Sequence, residues 1–233
     1  MKKPTRRGKV CCGCGSVVLD LTVPPSSYKY LEQTSIVCHC SDCIGFPDAL
    51  FQSAKNVSSD AAEESSPTKK CIDVIDHQTN SVNHIFFYDS DITIVKGKDL
   101  IAWHKLTPKT DINRFYAKCC RTPLGFHPGE SSKAHTIALY KPLITPIEDP
   151  GKNEIFFVPT PQVGVFRSCA PVGSASHDNV KMRKNGNAPV TLLRYIGRDT
   201  IGKIKHKNAK EGGIVVPSEE EIGVGLENLK QVP

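Results

Sequence analysis

The stretch Cys38-His-Cys-Ser-Asp-Cys43 places three thiols within six residues, directly after the β-branched pair Ile36-Val37. Cysteines at this spacing form a compact tripod, and a thiolate binds zinc at about 2.3 Å. Catalytic zinc sites have three protein ligands and an open fourth position, whereas structural sites have four ligands. The stretch therefore predicts a catalytic zinc site whose ligands are Cys38, Cys40 and Cys43.

A closed site is the main alternative for this tripod, with His39 or another group as the fourth ligand. His39 lies between two of the predicted ligands. It would need an unfavourable ring geometry to bind the same metal, so the sequence favours an open position.

Four more cysteines are available for a second site. The turn Cys12-Gly-Cys14-Gly15 offers two thiols, and Cys119-Cys120 follows a predicted strand over residues 112–118. Seven clustered cysteines thus divide into four and three, which predicts two zinc ions per chain, one of them structural. Neighbouring residues on a strand point to opposite faces, so joint ligation by Cys119 and Cys120 requires a local twist. Cys11 is the alternative fourth ligand.

Composition places this chain among globular metalloproteins. It has 233 residues, 39% of them apolar and 23% charged, which is enough for a core. No apolar run approaches the roughly 20 residues that span a bilayer, and no apolar segment of a secretory signal follows the basic start. Ten cysteines, seven of them in tight clusters, indicate a reducing compartment and metal binding in such a chain. We therefore expect a cytoplasmic protein without a membrane partner.

The pattern of short runs predicts a mainly β fold. Residues 16–23 alternate cleanly, and Gly45 and Pro47 are expected to break the chain after the tripod. Residues 53–70 contain almost no core formers and predict a surface loop. Further β-branched or aromatic runs cover residues 71–75, 84–88, 92–95, 100–104, 112–118 and 136–140. Short strands at this spacing favour an antiparallel sandwich or barrel.

The last third of the chain is rich in proline and basic residues. Residues 181–210 carry nine basic residues and one acidic residue. Such a tract binds polyanions or acts as a nuclear address, but no interleaved aromatic residues mark a nucleic-acid platform. Residues 146–233 are therefore interpreted as an irregular extension, either wrapped on the sheet or binding a partner.

Three motifs in order carry a resemblance to a known family. They are Cys12-Gly-Cys14-Gly15, Cys38-His-Cys-Ser-Asp-Cys43 and Arg114-Phe-Tyr-Ala-Lys-Cys-Cys-Arg-Thr122. Together with the segment 92–104, they resemble the glutathione-dependent formaldehyde-activating enzyme and centromere protein V family. The resemblance covers residues 8–145. It implies an Mss4-like antiparallel β-sandwich stapled by two zinc ions, with the site assignments given above.

The same resemblance implies an activity. Glutathione and formaldehyde would combine to S-(hydroxymethyl)glutathione, a carbon–sulfur lyase reaction in reverse, with glutathione as the small-molecule partner. Arg114 and Arg121 are the candidates for binding its carboxylates, with ordinary surface charge as the alternative. The third motif departs from the family pattern, since Ala117 replaces a cysteine and Arg121 a glycine. A non-catalytic, zinc-stapled module that binds a protein or nucleic acid is the alternative function.

Overall fold

The computed structural model describes residues 5–27, 34–59, 70–129, 135–146, 163–165, 181–182, 214, 216–226 and 229. These residues form mainly strands, with the helix α1 (Ser41–Ser59) after the third strand. The strands are β1 (Arg6–Cys11), β2 (Val18–Val23), β3 (Ser35–Cys38), β4 (Ile75–Asp76), β5 (Ser81–Tyr88), β6 (Ile92–Lys96), β7 (Ile101–Lys105), β8 (Asn113–Ala117), β9 (Pro123–His127), β10 (Thr136–Tyr140), β11 (Ile144–Pro146), β12 (Val163–Val165), β13 (Lys181–Met182) and β14 (Gly223–Val224).

The strands are arranged in two sheets. The smaller sheet has the order β11-β1-β2-β6, and all its pairs are antiparallel. The larger sheet has the order β13-β12-β3-β5-β10-β9-β8-β7-β14, and β4 pairs with β5 beside this path. Antiparallel pairs dominate here too, although β12 lies parallel to β3 and β13, and β14 lies parallel to β7. The predicted mainly β, antiparallel architecture is confirmed.

Both faces of the larger sheet are buried. On β5, β8 and β10 nearly every residue is buried, which requires a layer on each side. Helix α1 covers one face, because Phe46 packs against the rings of His104 on β7 and Tyr116 on β8. On β2 the buried side chains Leu19, Leu21 and Val23 alternate with more exposed ones and join the main core. The alternating strand predicted over residues 16–23 is therefore confirmed for residues 18–23.

Helix α1 corrects two predictions. Gly45 and Pro47 do not break the chain but lie inside the helix, and the surface loop predicted from residue 53 is wrong for residues 53–59. Phe46, Ala49, Leu50 and Ser53 recur at helical spacing and are all buried, so packing on the sheet outweighs the cost of an internal proline. Residues 60–69 of the predicted loop lie outside the described residues.

The chain beyond residue 146 contributes strands to the larger sheet. Strand β12 extends the sheet beside β3, and β14 extends it at the opposite edge beside β7. Before β14, Ser218 and Glu221 form a capping box around a single 3₁₀ turn. Most of the basic tract 181–210 lies outside the described residues. None of the helices in the described part is long and apolar enough to cross a membrane.

Candidate metal centres

The first centre is a group of four cysteines from two distant parts of the chain. The Sγ atoms of Cys12, Cys14, Cys119 and Cys120 all lie within 4.8 Å of one another. The Sγ of Cys12 is 3.6 Å from that of Cys14 and 3.8 Å from that of Cys119, and Cys14 and Cys119 are 3.3 Å apart. In a tetrahedron with zinc–sulfur bonds of about 2.3 Å, the sulfur–sulfur distance is about 3.8 Å. The group therefore has the size of a four-thiolate zinc site.

The turn after β1 presents the first two sulfurs. The amide of Gly15 donates to the carbonyl of Cys12 over 2.9 Å, and Gly15 adopts a left-handed φ of 71°. The amide of Val17 donates to the Sγ of Cys12 over 3.2 Å, but the hydrogen bond with Cys120 and burial raise the pKa of Cys12 overall. At Gly13 a Cβ would collide with the carbonyl oxygen of Lys70. Both glycines are thus required to form the turn.

The other two sulfurs come from a turn between β8 and β9. Cys119 and Cys120 lie beyond the end of β8, so the alternation of a strand does not separate them. The amide of Arg121 donates to the carbonyl of Ala117 over 2.8 Å, and Arg121 itself has a left-handed φ of 58°. This is the local twist that the sequence required. Cys11, at the end of β1, is not part of the four-cysteine group.

Thr122 ties the parts of this centre together. Its buried hydroxyl oxygen accepts hydrogen bonds from the amides of Gly13, at 3.0 Å, and Ile72, at 3.3 Å. It also lies 3.1 Å from the Sγ of Cys120, to which its own proton can be donated. Three chain segments therefore meet at one hydroxyl group. Sequence reasoning included Thr122 in a motif but assigned it no role.

We expect Thr122→Val to lower the free energy of unfolding by about 2–4 kcal/mol. Valine keeps the shape of threonine, but two amides then lose their acceptor, and each unsatisfied buried group costs about 1–3 kcal/mol. Urea unfolding of the metal-loaded protein measures the difference. Thr122→Ser is the matched control and should remain closer to wild type because it retains the hydroxyl. If the valine variant is as stable as wild type, the Thr122 hydroxyl does not hold the three chain segments together.

The second centre is formed by the tripod. Cys38 ends β3, Cys40 immediately precedes α1, and Cys43 lies in its first turn. The three Sγ atoms lie within 4.8 Å of one another, and those of Cys38 and Cys40 are 3.3 Å apart. The amide of Cys43 donates to the Sγ of Cys40 over 3.3 Å. Cys40 thus caps the helix as a serine would, and its sulfur lies at the positive end of the helix dipole.

Hydrogen bonds between thiols divide the charge unevenly in each group. In the tripod, the hydrogen bond between Cys38 and Cys40 lowers the pKa of Cys40 to about 2 and raises the pKa of Cys38 to about 12. In the four-cysteine group, the hydrogen bond with Cys12 lowers the pKa of Cys120 to about 4. In each group one thiol is therefore more acidic than its neighbours, and a bound cation would displace the thiol protons.

The tripod has no fourth ligand of the usual kind among the described residues. No further His, Cys, Asp or Glu there has a ligand atom within 4.8 Å of all three sulfurs. His39 is buried, and its Nδ1 lies 3.0 Å from the carbonyl oxygen of Asn80, to which the ring can donate. His39 is therefore not placed as a fourth ligand of the tripod, unlike in the alternative of a closed site.

The two arginines proposed for ligand binding are buried. Arg114 is 2% exposed and Arg121 is 7% exposed, so the alternative of ordinary surface charge is wrong. The Nη1 of Arg121 donates to the Oγ of Ser53 on α1 and, over 3.2 Å, to the carbonyl of Leu229. Arg121 thus joins the helix to the C-terminal segment. Arg114 lies 6.0 Å from the ring centre of Phe46.

A cavity of about 760 Å³ lies beside β7. Its lining includes Trp103, Lys118, Pro217 and Glu221, but none of the seven clustered cysteines. The geometry therefore does not join this cavity to either metal centre.

Comparison with known proteins adds no assignment. No protein-family model matches the chain, and no curated protein matches its sequence. Any functional argument consequently depends on the two cysteine groups and their surroundings.

Proposed function

We propose that the chain is a zinc protein of the formaldehyde-activating type, with a structural four-cysteine zinc and a second zinc whose open position binds a thiol such as glutathione. The reaction would be the reversible addition of that thiol to an aldehyde, which is carbon–sulfur lyase chemistry. The division of the cysteines into a complete set of four and an incomplete set of three is the observation that carries this proposal.

The two groups differ in what they can do. Four thiolates saturate a tetrahedral zinc and leave no position for a substrate. Cys12 and Cys119 are 107 residues apart, so their group closes a long loop, as expected of a structural site. Three thiolates leave one position, and Cys38, Cys40 and Cys43 all come from one short segment.

The chain would hold a thiol and prepare it for reaction. When bound at the tripod, zinc would stabilise the thiolate form of the incoming sulfur, which is the nucleophilic form. Arg114 supplies a buried positive charge that no carboxylate pairs with in the described part of the chain. It is therefore the better candidate of the two arginines for contacting a ligand.

Cobalt substitution tests the open position. In the cobalt-loaded protein, we expect glutathione to shift the visible absorption bands, because a fourth sulfur enters the coordination shell. The shift should disappear in Cys38→Ser and Cys43→Ser and should persist in Cys11→Ser, which lies outside both groups. It should increase with pH as the glutathione thiol ionises, since only the thiolate binds.

Unchanged spectra at saturating glutathione, with the tripod fully loaded, would contradict the proposal. The site would then be closed, and the alternative function, a zinc-stapled module that binds a protein or nucleic acid, would replace the enzyme proposal. Titration with nucleic acid at two salt concentrations would test that function, because binding to phosphates weakens steeply as salt rises.

A further inference from the structure

A set of polar side chains lies on the face of the larger sheet that α1 covers. His84 on β5 is paired with Tyr140 on β10, and their ring centres are 5.0 Å apart. Phe126 on β9 lies 5.1 Å from His84 and is paired with Arg114 on β8. His84, Tyr140 and Arg114 are 3%, 1% and 2% exposed, respectively. We call these three residues the polar pocket.

The polar pocket contains hydrogen-bonding atoms that no other described residue satisfies. Both ring nitrogens of His84 and the Nη1 of Arg114 are buried and have no hydrogen-bond partner in the described part of the chain. An unpaired buried polar atom costs about 1–3 kcal/mol, and more when it is charged. By contrast, His104 on the same face has its Nε2 2.9 Å from the carbonyl of Gly225. Buried polar atoms without a partner also occur elsewhere, for example the Oδ1 atoms of Asn83 and Asn113, but in the polar pocket three of them lie close together on one sheet face, where one ligand would satisfy them.

The polar pocket adjoins the tripod. Cys38 pairs with Val82 and Ile36 pairs with His84, so Cys38 and His84 are near neighbours on one sheet face. Burial lowers the pKa of His84 to about 3. The positive charge of Arg114 lowers this pKa further, whereas the negative charge of Cys40 raises it. Burial likewise raises the pKa of Tyr140, and Cys43 raises it further. A neutral imidazole has one donor and one acceptor, and both ring nitrogens of His84 lack a partner in the described part of the chain.

We propose that His84, Tyr140 and Arg114 bind the oxygen atom of a thiol–aldehyde adduct whose sulfur is held at the tripod. This inference rests on the proposed function. Because the three side chains are almost fully buried, they favour a small aldehyde such as formaldehyde. Three thiolates and a divalent cation carry a net charge of −1, which Arg114 balances, so the uncharged hydroxymethyl thioether group of the adduct completes the site.

The reaction balances without an oxidant or reductant. The electron pair of the thiolate forms the carbon–sulfur bond, and the electron pair of the carbonyl π bond moves to oxygen. That oxygen takes one proton, equal to the proton that the thiol released. Donors on Arg114 and His84 would stabilise the negative charge that develops on the oxygen.

The test compares two ligands that differ in one oxygen. S-(hydroxymethyl)glutathione carries the hydroxyl and S-methylglutathione lacks it. By calorimetry we expect the zinc-loaded wild type to bind the hydroxymethyl compound at least tenfold more tightly, because buried donors reject a ligand without the oxygen. In His84→Phe, which keeps the packing ring, the two affinities should become nearly equal. The rate of adduct formation should fall by about 100-fold.

His104→Phe is the matched control, since its ring lies on the same face but its Nε2 already has a partner. It should retain the preference for the hydroxymethyl compound. If His84→Phe does not fold, Tyr140→Phe removes one hydroxyl and allows the same comparison.

Equal affinity of the wild type for both compounds would contradict the role of the polar pocket. A His84→Phe variant that keeps the full preference and the full rate would contradict it as well. Neither result would contradict thiol binding at the tripod. A cobalt spectrum that glutathione does not change in the wild type would overturn the proposed function and this inference together.

Discussion

Replacing Cys12 with serine should remove one metal ion and destabilise the protein by several kcal/mol. Cys12 is 3% exposed and belongs to the main core, and its metal would join the turn after β1 to the turn between β8 and β9. In such a site the free energy of metal binding is part of the free energy of folding. Serine is also a poor zinc ligand in a position that is shielded from water.

The measurement is urea unfolding followed by circular dichroism, with metal content determined on the same sample. Cys11→Ser is the matched control, because Cys11 is the preceding residue but lies outside the group. It should unfold within about 0.5 kcal/mol of wild type, as ordinary half-exposed substitutions do. A Cys12→Ser variant with wild-type stability and metal content would contradict the structural role of this centre.

Cys40→Ser should lose the other metal ion and the glutathione response but remain folded. The sulfur of Cys40 accepts a hydrogen bond from the amide of Cys43 at the start of α1, and serine is among the best residues at such a cap. The tripod closes only a short loop, so losing its metal restores little chain entropy. The pairing of β3 with β5 and β12 should be retained in the variant.

Circular dichroism and the cobalt titration with glutathione would measure both consequences in one preparation. We expect a wild-type spectrum of the folded chain and no shift of the cobalt bands. Cys40→Ala is the companion variant, because it removes the cap as well and should be less stable than Cys40→Ser by about 1 kcal/mol. If Cys40→Ser unfolds while Cys12→Ser does not, the roles of the two centres are reversed.

The sequence was informative where a pattern is local. The tripod within residues 38–43 and the alternation in β2 depend on neighbours in the chain, and both were predicted. Strand β1 was missed, because Arg6, Arg7 and Lys9 suggested only a basic start. Its buried positions are Gly8 and Val10, and pairing with β2 and β11 on both sides makes it a strand.

Features that depend on distant contacts were missed or left open. Pro47 predicted a break, but the packing of Phe46 and Leu50 beneath α1 decided the outcome. Cys119 and Cys120 were predicted as ligands, whereas the turn that lets both face Cys12 was not visible in the sequence. His84 looked like one residue of a core strand. Its relation to Arg114 arises from the order β5-β10-β9-β8, which no local pattern encodes.

We propose that the seven clustered cysteines form two separate zinc centres. Elemental analysis of the purified protein, with its Cys12→Ser and Cys40→Ser variants, tests this claim most directly. We predict about two zinc ions per chain in the wild type and about one in each variant. One zinc ion in the wild type would contradict the division into four and three, and none would contradict metal binding altogether.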